Sequence, residues 1–186
     1  MESRRSVMLL WFITYILIPI DTILFVQGSN WFTTNFSVIG NRIGREEEFV
    51  LWGLMVGIYF FWSLRQIALR MPVAPGFTWL IPLAMTLLAF AVTTPYLPEK
   101  LPLKSRLHIV FAFLSAFCLF LCLWRFIWIL YQYNREKYRL FLIGLSGIAL
   151  FSLLLFLAAG IISSALEIFF TITSVLMVRR LYLSLV

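Results

Sequence analysis

Six apolar runs divide the chain, and each has about the length of a helix that crosses a lipid bilayer. A hydrocarbon core about 30 Å thick requires roughly 20 mainly apolar residues per helix. The runs cover residues 6–26, 49–68, 77–96, 107–127, 140–159 and 161–178. We therefore predict an all-α membrane protein, a six-transmembrane-helix bundle in which residues 1–186 form a single domain.

The composition supports a membrane protein. Of the 186 residues, 62% are hydrophobic and 12% are charged, whereas about 25% of the residues in a soluble domain are charged. The last two runs are separated only by Ala158, Ala159 and Gly160. The glycine favours a tight hairpin over one helix of about 40 residues. These features argue against a soluble enzyme and against a nucleic-acid-binding protein.

The distribution of lysine and arginine predicts how the spans are oriented, because cytoplasmic loops carry an excess of these residues. With a cytoplasmic N-terminus, ten of the fifteen lysine and arginine residues fall on the inner side. The other five fall on the outer side: Arg42, Arg45, Lys100, Lys104 and Arg106. We expect both termini in the cytoplasm and, in a bacterium, location in the plasma membrane. Aromatic and basic residues between positions 124 and 139 predict an interfacial collar.

The first outer connection, residues 28–48, is polar but contains several large apolar side chains. These are Trp31, Phe32, Phe36, Val38 and Ile39. A fully hydrated loop has no need of them. The segment is therefore expected either to fold back over the outer mouth of the bundle or to lie at the interface with aromatic anchors. Asn35-Phe36-Ser37 is also a sequon for N-glycosylation.

Three ionisable residues lie inside predicted spans, where a charged side chain costs a few kcal/mol. They are Asp21 in the first span, His108 in the fourth and Glu167 in the sixth. The predicted topology puts all three in the outer half of the membrane. They are the candidate catalytic residues, with His108 and either carboxylate as a general acid–base pair.

A stripe of polar residues at helical spacing follows the sixth span: Ser164, Glu167, Thr171 and Ser174. Such a stripe faces the bundle interior or a water-filled cleft. With Thr86, Thr93 and Thr94 of the third span, it suggests a polar cleft that opens to the outer side. The candidate binding residues are Asn35, Ser37, Asn41, Ser164 and Thr171. In the competing interpretation these hydroxyls only hydrogen-bond one helix to another.

The sequence predicts no metal site and no cofactor. It has one histidine and two cysteines, Cys118 and Cys122, which lie four apart in an apolar run and are expected to be buried thiols. It has no phosphate-binding glycine loop, no Gly-x-Ser-x-Gly elbow and no His-Glu-x-x-His pair. Gly53 and Gly57 predict close helix packing, either within the bundle or in a dimer.

Two stretches of the chain resemble the Frag/DRAM/Sfk-like six-span membrane proteins and their bacterial relatives. They are residues 35–41, NFSVIGN, and residues 107–117, LHIVFAFLSAF. The second has Phe111 where that group's pattern has a glycine. Eukaryotic members are associated with lipid-anchor remodelling and with stress or sterol responses. The resemblance implies a lipid-related role for Asn35, Ser37 and His108.

Three functional hypotheses follow. The first is a protein that binds, and as an enzyme modifies, a lipid or amphiphile head group in an outer-leaflet cleft beneath a lid of residues 30–41. The second is a small-molecule transporter or substrate-capture subunit. The third is a structural, accessory or immunity-type membrane protein. The expected partner is a membrane lipid or amphiphile and not a nucleic acid. The sequence is also compatible with a homo-oligomer or with a second membrane protein as a partner.

Overall fold

The computed structural model describes residues 4–186, with side chains from Met8 onward. Residues 1–3, at the N-terminus that is predicted to be cytoplasmic, lie outside the described residues. Helices account for all regular structure in this range, and it contains no strand. The α-helices are α1 (Arg4–Phe12), α2 (Ile18–Phe25), α3 (Phe36–Ile43), α4 (Glu46–Arg70), α5 (Leu80–Thr93), α6 (Pro102–Tyr133), α7 (Arg135–Ala159) and α8 (Ser164–Leu183). The prediction of an all-α fold is confirmed.

Two short segments interrupt the regular helices. A π-helical segment, Ile13–Leu17, joins α1 to α2, and Pro19 follows it in the first turn of α2. Proline lacks an N–H and displaces the carbonyl four residues earlier, which explains a local widening of the helix. A 3-10 turn, Phe77–Trp79, precedes α5.

Four helical stretches are long and apolar enough to cross a membrane: Met8–Phe25, Glu46–Arg70, Pro102–Tyr133 and Arg135–Ala159. The other two predicted spans differ for identifiable reasons. Phe77–Thr93 is shorter, because the residue before Pro95 is extended and ends the helix. α8 is twenty residues long, but it includes Glu167, Arg179 and Arg180. The chain therefore has several helices suited to a membrane.

Consecutive long helices run in opposite directions, so the connections alternate between the two ends of the bundle. Three connections meet at one end, which we call the α3 end. There, the N–H of Ser164 donates to the carbonyl of Thr34 at 2.7 Å. Arg42 also pairs with Glu99 at 3.0 Å. At the opposite end the ammonium of Lys137 donates to the carbonyl of Ser184 at 2.6 Å.

α4 lies at the centre of the bundle and packs against α2, α3, α5 and α8. Two glycines allow α5 to approach it closely. A Cβ atom added to Gly53 would lie 2.6 Å from Cγ1 of Val92, and one added to Gly57 would lie 3.2 Å from Leu88. These glycines therefore serve packing inside the bundle. In contrast, a Cβ atom at Gly147 of α7 would meet no atom within 4 Å.

Buried hydroxyl and indole groups also join the helices. The indole N–H of Trp52 in α4 donates to Thr22 of α2 at 3.0 Å, and the Tyr59 hydroxyl donates to the carbonyl of Val175 in α8 at 3.1 Å. Ser115 of α6 donates to the carbonyl of Ala84 in α5 at 2.8 Å. Such bonds contribute about 0.6 kcal/mol each between membrane helices.

Two smaller predictions have different outcomes. Cys118 and Cys122 are free and buried, as expected. The predicted collar is only partly at the surface: Tyr133 is 71% exposed, whereas Tyr138 is 3% exposed and belongs to the core. Tyr138 turns inward because α7 begins at Arg135, immediately after the Asn134 turn, and its first turn packs on the bundle.

The glycine contacts predict a difference between two alanine variants. Gly53→Ala forces a methyl group against Val92, and overpacking of this kind costs about 1–3 kcal/mol. Gly147→Ala meets open space and removes a helical glycine, which favours the helix by about 1 kcal/mol. We expect a lower thermal midpoint in detergent for the first variant and an unchanged or higher midpoint for the second. Equal midpoints would contradict the packing described here.

Candidate functional site

α3 is a short helix inside the first connection, and the local sequence specifies both of its ends. The side-chain oxygen of Asn35 accepts the N–H of Val38 at 2.8 Å, which is the usual N-cap contact. Gly44 follows the helix with a left-handed φ of 85°, a conformation that glycine adopts without steric cost. The segment therefore forms a capped helix in place of an irregular loop.

One face of α3 is apolar and packs on the bundle. Phe36 and Ile39 are completely buried, and a Cβ atom at Gly40 would lie 2.9 Å from Phe49 of α4. The Phe36 ring lies 4.8 Å from Trp52 and 5.2 Å from Phe25, centroid to centroid. Of the two proposed arrangements of this connection, the structure has the folded-back one for α3.

The residues before α3 behave differently. Trp31 is 43% exposed and Phe32 is 53% exposed. They lie in a turn organised by Asn30, whose side-chain oxygen accepts the N–H of Phe32 at 3.0 Å. These two aromatic side chains therefore remain available to the surroundings of the α3 end.

Glu167 binds the N-terminus of α3. Its Oε2 atom accepts the N–H of Phe36 at 2.7 Å, across 131 positions of sequence. Phe36 is the first residue of α3, where N–H groups lack intrahelical acceptors. Beside it, the Ser164 hydroxyl donates to the carbonyl of Thr34 at 3.1 Å. α8 thus binds α3 through its first turn.

His108 of α6 binds the next residue of α3. Its Nε2 atom lies 2.6 Å from Oγ of Ser37, and its Nδ1 atom lies 2.8 Å from the carbonyl oxygen of Thr94. The imidazole is 1% exposed and lies against the rings of Phe49 and Tyr96. We call Glu167, Ser164 and His108 the α3 clamp, because they bind residues 34, 36 and 37.

The clamp brings together some of the residues predicted from sequence. Ser37, His108, Ser164 and Glu167 all contribute to it, and Asn35 caps the helix that it binds. His108 contacts Ser37 and Thr94, so it is not hydrogen-bonded to either of the carboxylates suggested as its partner. The amide of Asn41 donates to the carbonyl of Ser37 at 3.1 Å, one turn further along α3.

Asp21 lies apart from the clamp. Its electrostatic neighbours are Arg45 and Glu48. Arg45 is ion-paired with Glu48 and donates to the carbonyl of Phe25 at 2.6 Å. Asp21 thus belongs to a charged group where α2 ends and α4 begins.

Two of the threonines do not form the polar cleft suggested by the sequence. Thr86 and Thr93 are exposed and donate to carbonyls of their own helix at 2.9 and 2.6 Å. Thr171 is buried, further along α8 than the clamp. Of the threonines suggested for the cleft, Thr94 contacts the clamp, through its carbonyl group.

Several groups that the clamp contacts are backbone atoms, which sequence patterns do not identify. They are the carbonyls of Thr34 and Thr94 and the N–H of Phe36. The carbonyl of Trp31, which accepts the N–H of Ala165 at 2.9 Å, belongs with them. Pro95 provides the one indirect signal, because it ends α5 and so leaves the Thr94 carbonyl available.

Comparisons with known proteins give no assignment. The chain matches no protein-family model, no curated protein and no solved structure. Within residues 4–186, no three or more His, Cys, Asp or Glu side chains are grouped so that they could hold a metal ion.

The Glu167 contact predicts how strongly α3 is held. Removing the Glu167 side chain leaves the N–H of Phe36 without its acceptor, and a buried donor without a partner costs about 1–3 kcal/mol. Glu167→Ala should therefore raise the hydrogen-exchange rate of backbone amides in residues 31–45 by about 10- to 100-fold. Mass spectrometry of the exchanged peptides measures this rate.

Glu167→Gln is the matched control, since its amide oxygen still accepts the Phe36 N–H. We expect a smaller increase in exchange for this variant. Exchange in Glu167→Ala at the wild-type rate would show that the carboxylate does not hold α3.

Proposed function

We propose that the chain forms six membrane spans with both termini in the cytoplasm. Four helices are long and apolar enough for this, and α5 and α8 pack in the same bundle. The charges of α8 lie near its two ends, with Glu167 in its first turn and Arg180 in its last turn. The excess of lysine and arginine on the loops opposite the α3 end supports this orientation.

In this orientation the α3 end lies at the outer surface of the membrane. Trp31 and Phe32 are exposed there, and so is Ile43 at 56% exposure. Aromatic side chains are enriched at the level of lipid head groups. The exposed apolar residues around α3 would thus contact the outer leaflet, and the buried face of α3 would cover the bundle.

We infer that this end binds a lipid or amphiphile head group. The observation that supports this most is the convergence of Glu167 and His108 on two consecutive residues of one interfacial helix. Ionisable groups at membrane depth are costly and commonly mark a functional site. Ser37, which contacts His108, is partly exposed.

The charges near the site suit an anionic head group. Lys104 and Arg106 are exposed at the start of α6, within one turn of His108. Lysine and arginine bind phosphate through charge-assisted hydrogen bonds. A lipid phosphate group beside α6 would place its glycerol and acyl ester near Ser37. This role also agrees with the lipid-related function implied by the resemblance to the Frag/DRAM/Sfk-like proteins.

A purely structural role is the competing proposal, and one observation favours it. Glu167 and His108 both have hydrogen-bond partners inside the fold, so they could serve only to attach α3. The two proposals differ in whether a lipid remains bound to the purified protein.

Lipid retention tests the proposed function. We expect native mass spectrometry of the gently solubilised protein to detect one retained lipid species. Glu167→Ala and His108→Ala should each lose it, because either change releases α3. Thr93→Ala is the matched control, since Thr93 is exposed and bonds only to its own helix. Retention of the same lipid in both clamp variants would contradict this proposal.

Chemical labelling tests the orientation. Thr33→Cys lies at the α3 end, and Tyr133→Cys lies at the opposite end; both positions are exposed. The native thiols, Cys118 and Cys122, are buried. A membrane-impermeant maleimide should label residue 33 in intact cells and residue 133 only after the cells are permeabilised. The reverse pattern would contradict cytoplasmic termini.

A further inference from the structure

The contact between Ser37 and His108 differs from the other serine and threonine contacts of the bundle. The hydroxyls of Ser105 and Ser115 donate to backbone carbonyls, at 3.0 and 2.8 Å. The hydroxyl of Ser37 instead lies 2.6 Å from an imidazole nitrogen. A backbone carbonyl only accepts a hydrogen bond, whereas an imidazole nitrogen can also accept a proton.

The second contact of His108 determines which ring nitrogen carries the hydrogen. The carbonyl of Thr94 is an acceptor, so Nδ1 of His108 must be the donor in their 2.8 Å contact. In a neutral imidazole the other nitrogen, Nε2, then has a free lone pair. Ser37 is therefore the donor and Nε2 the acceptor. This arrangement of hydroxyl, base and orienting acceptor is the one that activates a serine nucleophile.

The surroundings hold the imidazole in place and leave the hydroxyl within reach. His108 is 1% exposed, and its ring centroid lies 5.5 Å from that of Tyr96 and 6.1 Å from that of Phe49. Ser37 is partly exposed. Leu107, which precedes His108 on α6, is 41% exposed. A substrate in the outer leaflet could approach the hydroxyl while the base stays shielded from water.

The N-terminus of α3 also supplies a hydrogen-bond donor. The N–H of Phe36 is bound by Glu167, and that of Val38 is bound by Asn35. Between them, the N–H of Ser37 has no acceptor within residues 4–186. A backbone N–H beside the nucleophile can stabilise the oxyanion that forms during acyl transfer.

We propose that Ser37 is the nucleophile and His108 the general base of an acyl transfer from a lipid ester, at the site of the proposed lipid-binding function. Ser37 Oγ forms a bond to the ester carbonyl carbon, and its proton passes to Nε2 of His108. The bond from that carbon to the leaving oxygen then breaks, and His108 returns the proton to this oxygen. Water attacks acyl-Ser37 by the same route and releases a fatty acid.

The substrate class follows from the depth of the site. The ester groups of glycerolipids lie between the polar head groups and the hydrocarbon core. In the proposed orientation α3 lies at the membrane surface, where the apolar side chains of Phe32 and Ile43 and the ammonium of Lys104 are exposed. The site thus suits an acyl ester of an anionic phospholipid better than a soluble ester.

The test combines a covalent probe with lipid turnover. A fluorophosphonate, which reacts with activated serine hydroxyls, should label the full-length protein at Ser37. His108→Gln should slow labelling by about 100-fold or more, because a general base contributes about 10²–10⁴-fold. Hydrogen exchange of residues 31–45 shows whether α3 stays docked in this variant. Ser29→Ala, on the same connection, should label like the wild type.

Turnover is measured in vesicles of phosphatidylethanolamine and phosphatidylglycerol. The wild type should produce fatty acid and lysophospholipid, and Ser37→Ala should produce neither. Hydrogen exchange of residues 31–45 shows whether α3 stays docked in that variant. If Ser37→Ala releases α3, a loss of turnover in that variant has a structural cause. The labelling rates of the wild type and of His108→Gln then test the proposal.

The outcomes separate this inference from the proposed function on which it rests. A wild-type protein that retains lipid but is not labelled at Ser37 would overturn the acyl transfer and leave lipid binding intact. Labelling of His108→Gln at the wild-type rate would also overturn it. A protein that is unlabelled and holds no lipid would overturn both proposals.

Discussion

The bond between the Glu167 carboxyl group and the Phe36 N–H, 2.7 Å long, is the interaction on which the arrangement of the α3 end depends. A carboxyl group buried in an apolar bundle is costly unless it is hydrogen-bonded. A helix N-terminus offers N–H groups that have no acceptor within the helix. The same hydrogen bond fixes α3 over the bundle, although the rest of the first connection is polar.

Fixing α3 has consequences for the rest of this end. Phe36 and Ile39 are buried on α4, so the core continues into what would otherwise be a loop. The first connection is also bound to the two other connections at this end, through Ser164 and through Arg42 with Glu99. The exposed Arg42–Glu99 pair adds little energy. The placement of Ser37 against His108 therefore depends mainly on the buried contacts, and any chemistry at Ser37 depends on them too.

The apolar runs were sufficient to predict an all-helical membrane protein and a break at Gly160, because hydrophobic length and glycine act locally. They also identified His108 and Glu167 as candidate residues, and the resemblance to the Frag/DRAM/Sfk-like proteins identified Ser37. The sequence did not predict the hydrogen-bond partners of these side chains. Glu167 binds the N–H of Phe36, and His108 binds the carbonyl of Thr94. Backbone groups of this kind occur along the whole chain, so a sequence pattern does not single them out. Asp21 seemed equivalent to Glu167 by depth, but depth does not give rotation about the helix axis. Asp21 instead interacts with Arg45 and Glu48.

Photochemical crosslinking tests most directly whether the α3 end binds a lipid head group. The protein would be reconstituted in nanodiscs with a phospholipid that carries a diazirine near its glycerol. The crosslinked residues would then be mapped by mass spectrometry. If the α3 end binds a lipid head group, we expect crosslinks concentrated in residues 31–41 and 103–110. We also expect these crosslinks to be lost in Glu167→Ala, which releases α3. Crosslinks spread along the exposed faces of α5 and α7, with the same pattern in Glu167→Ala, would contradict it.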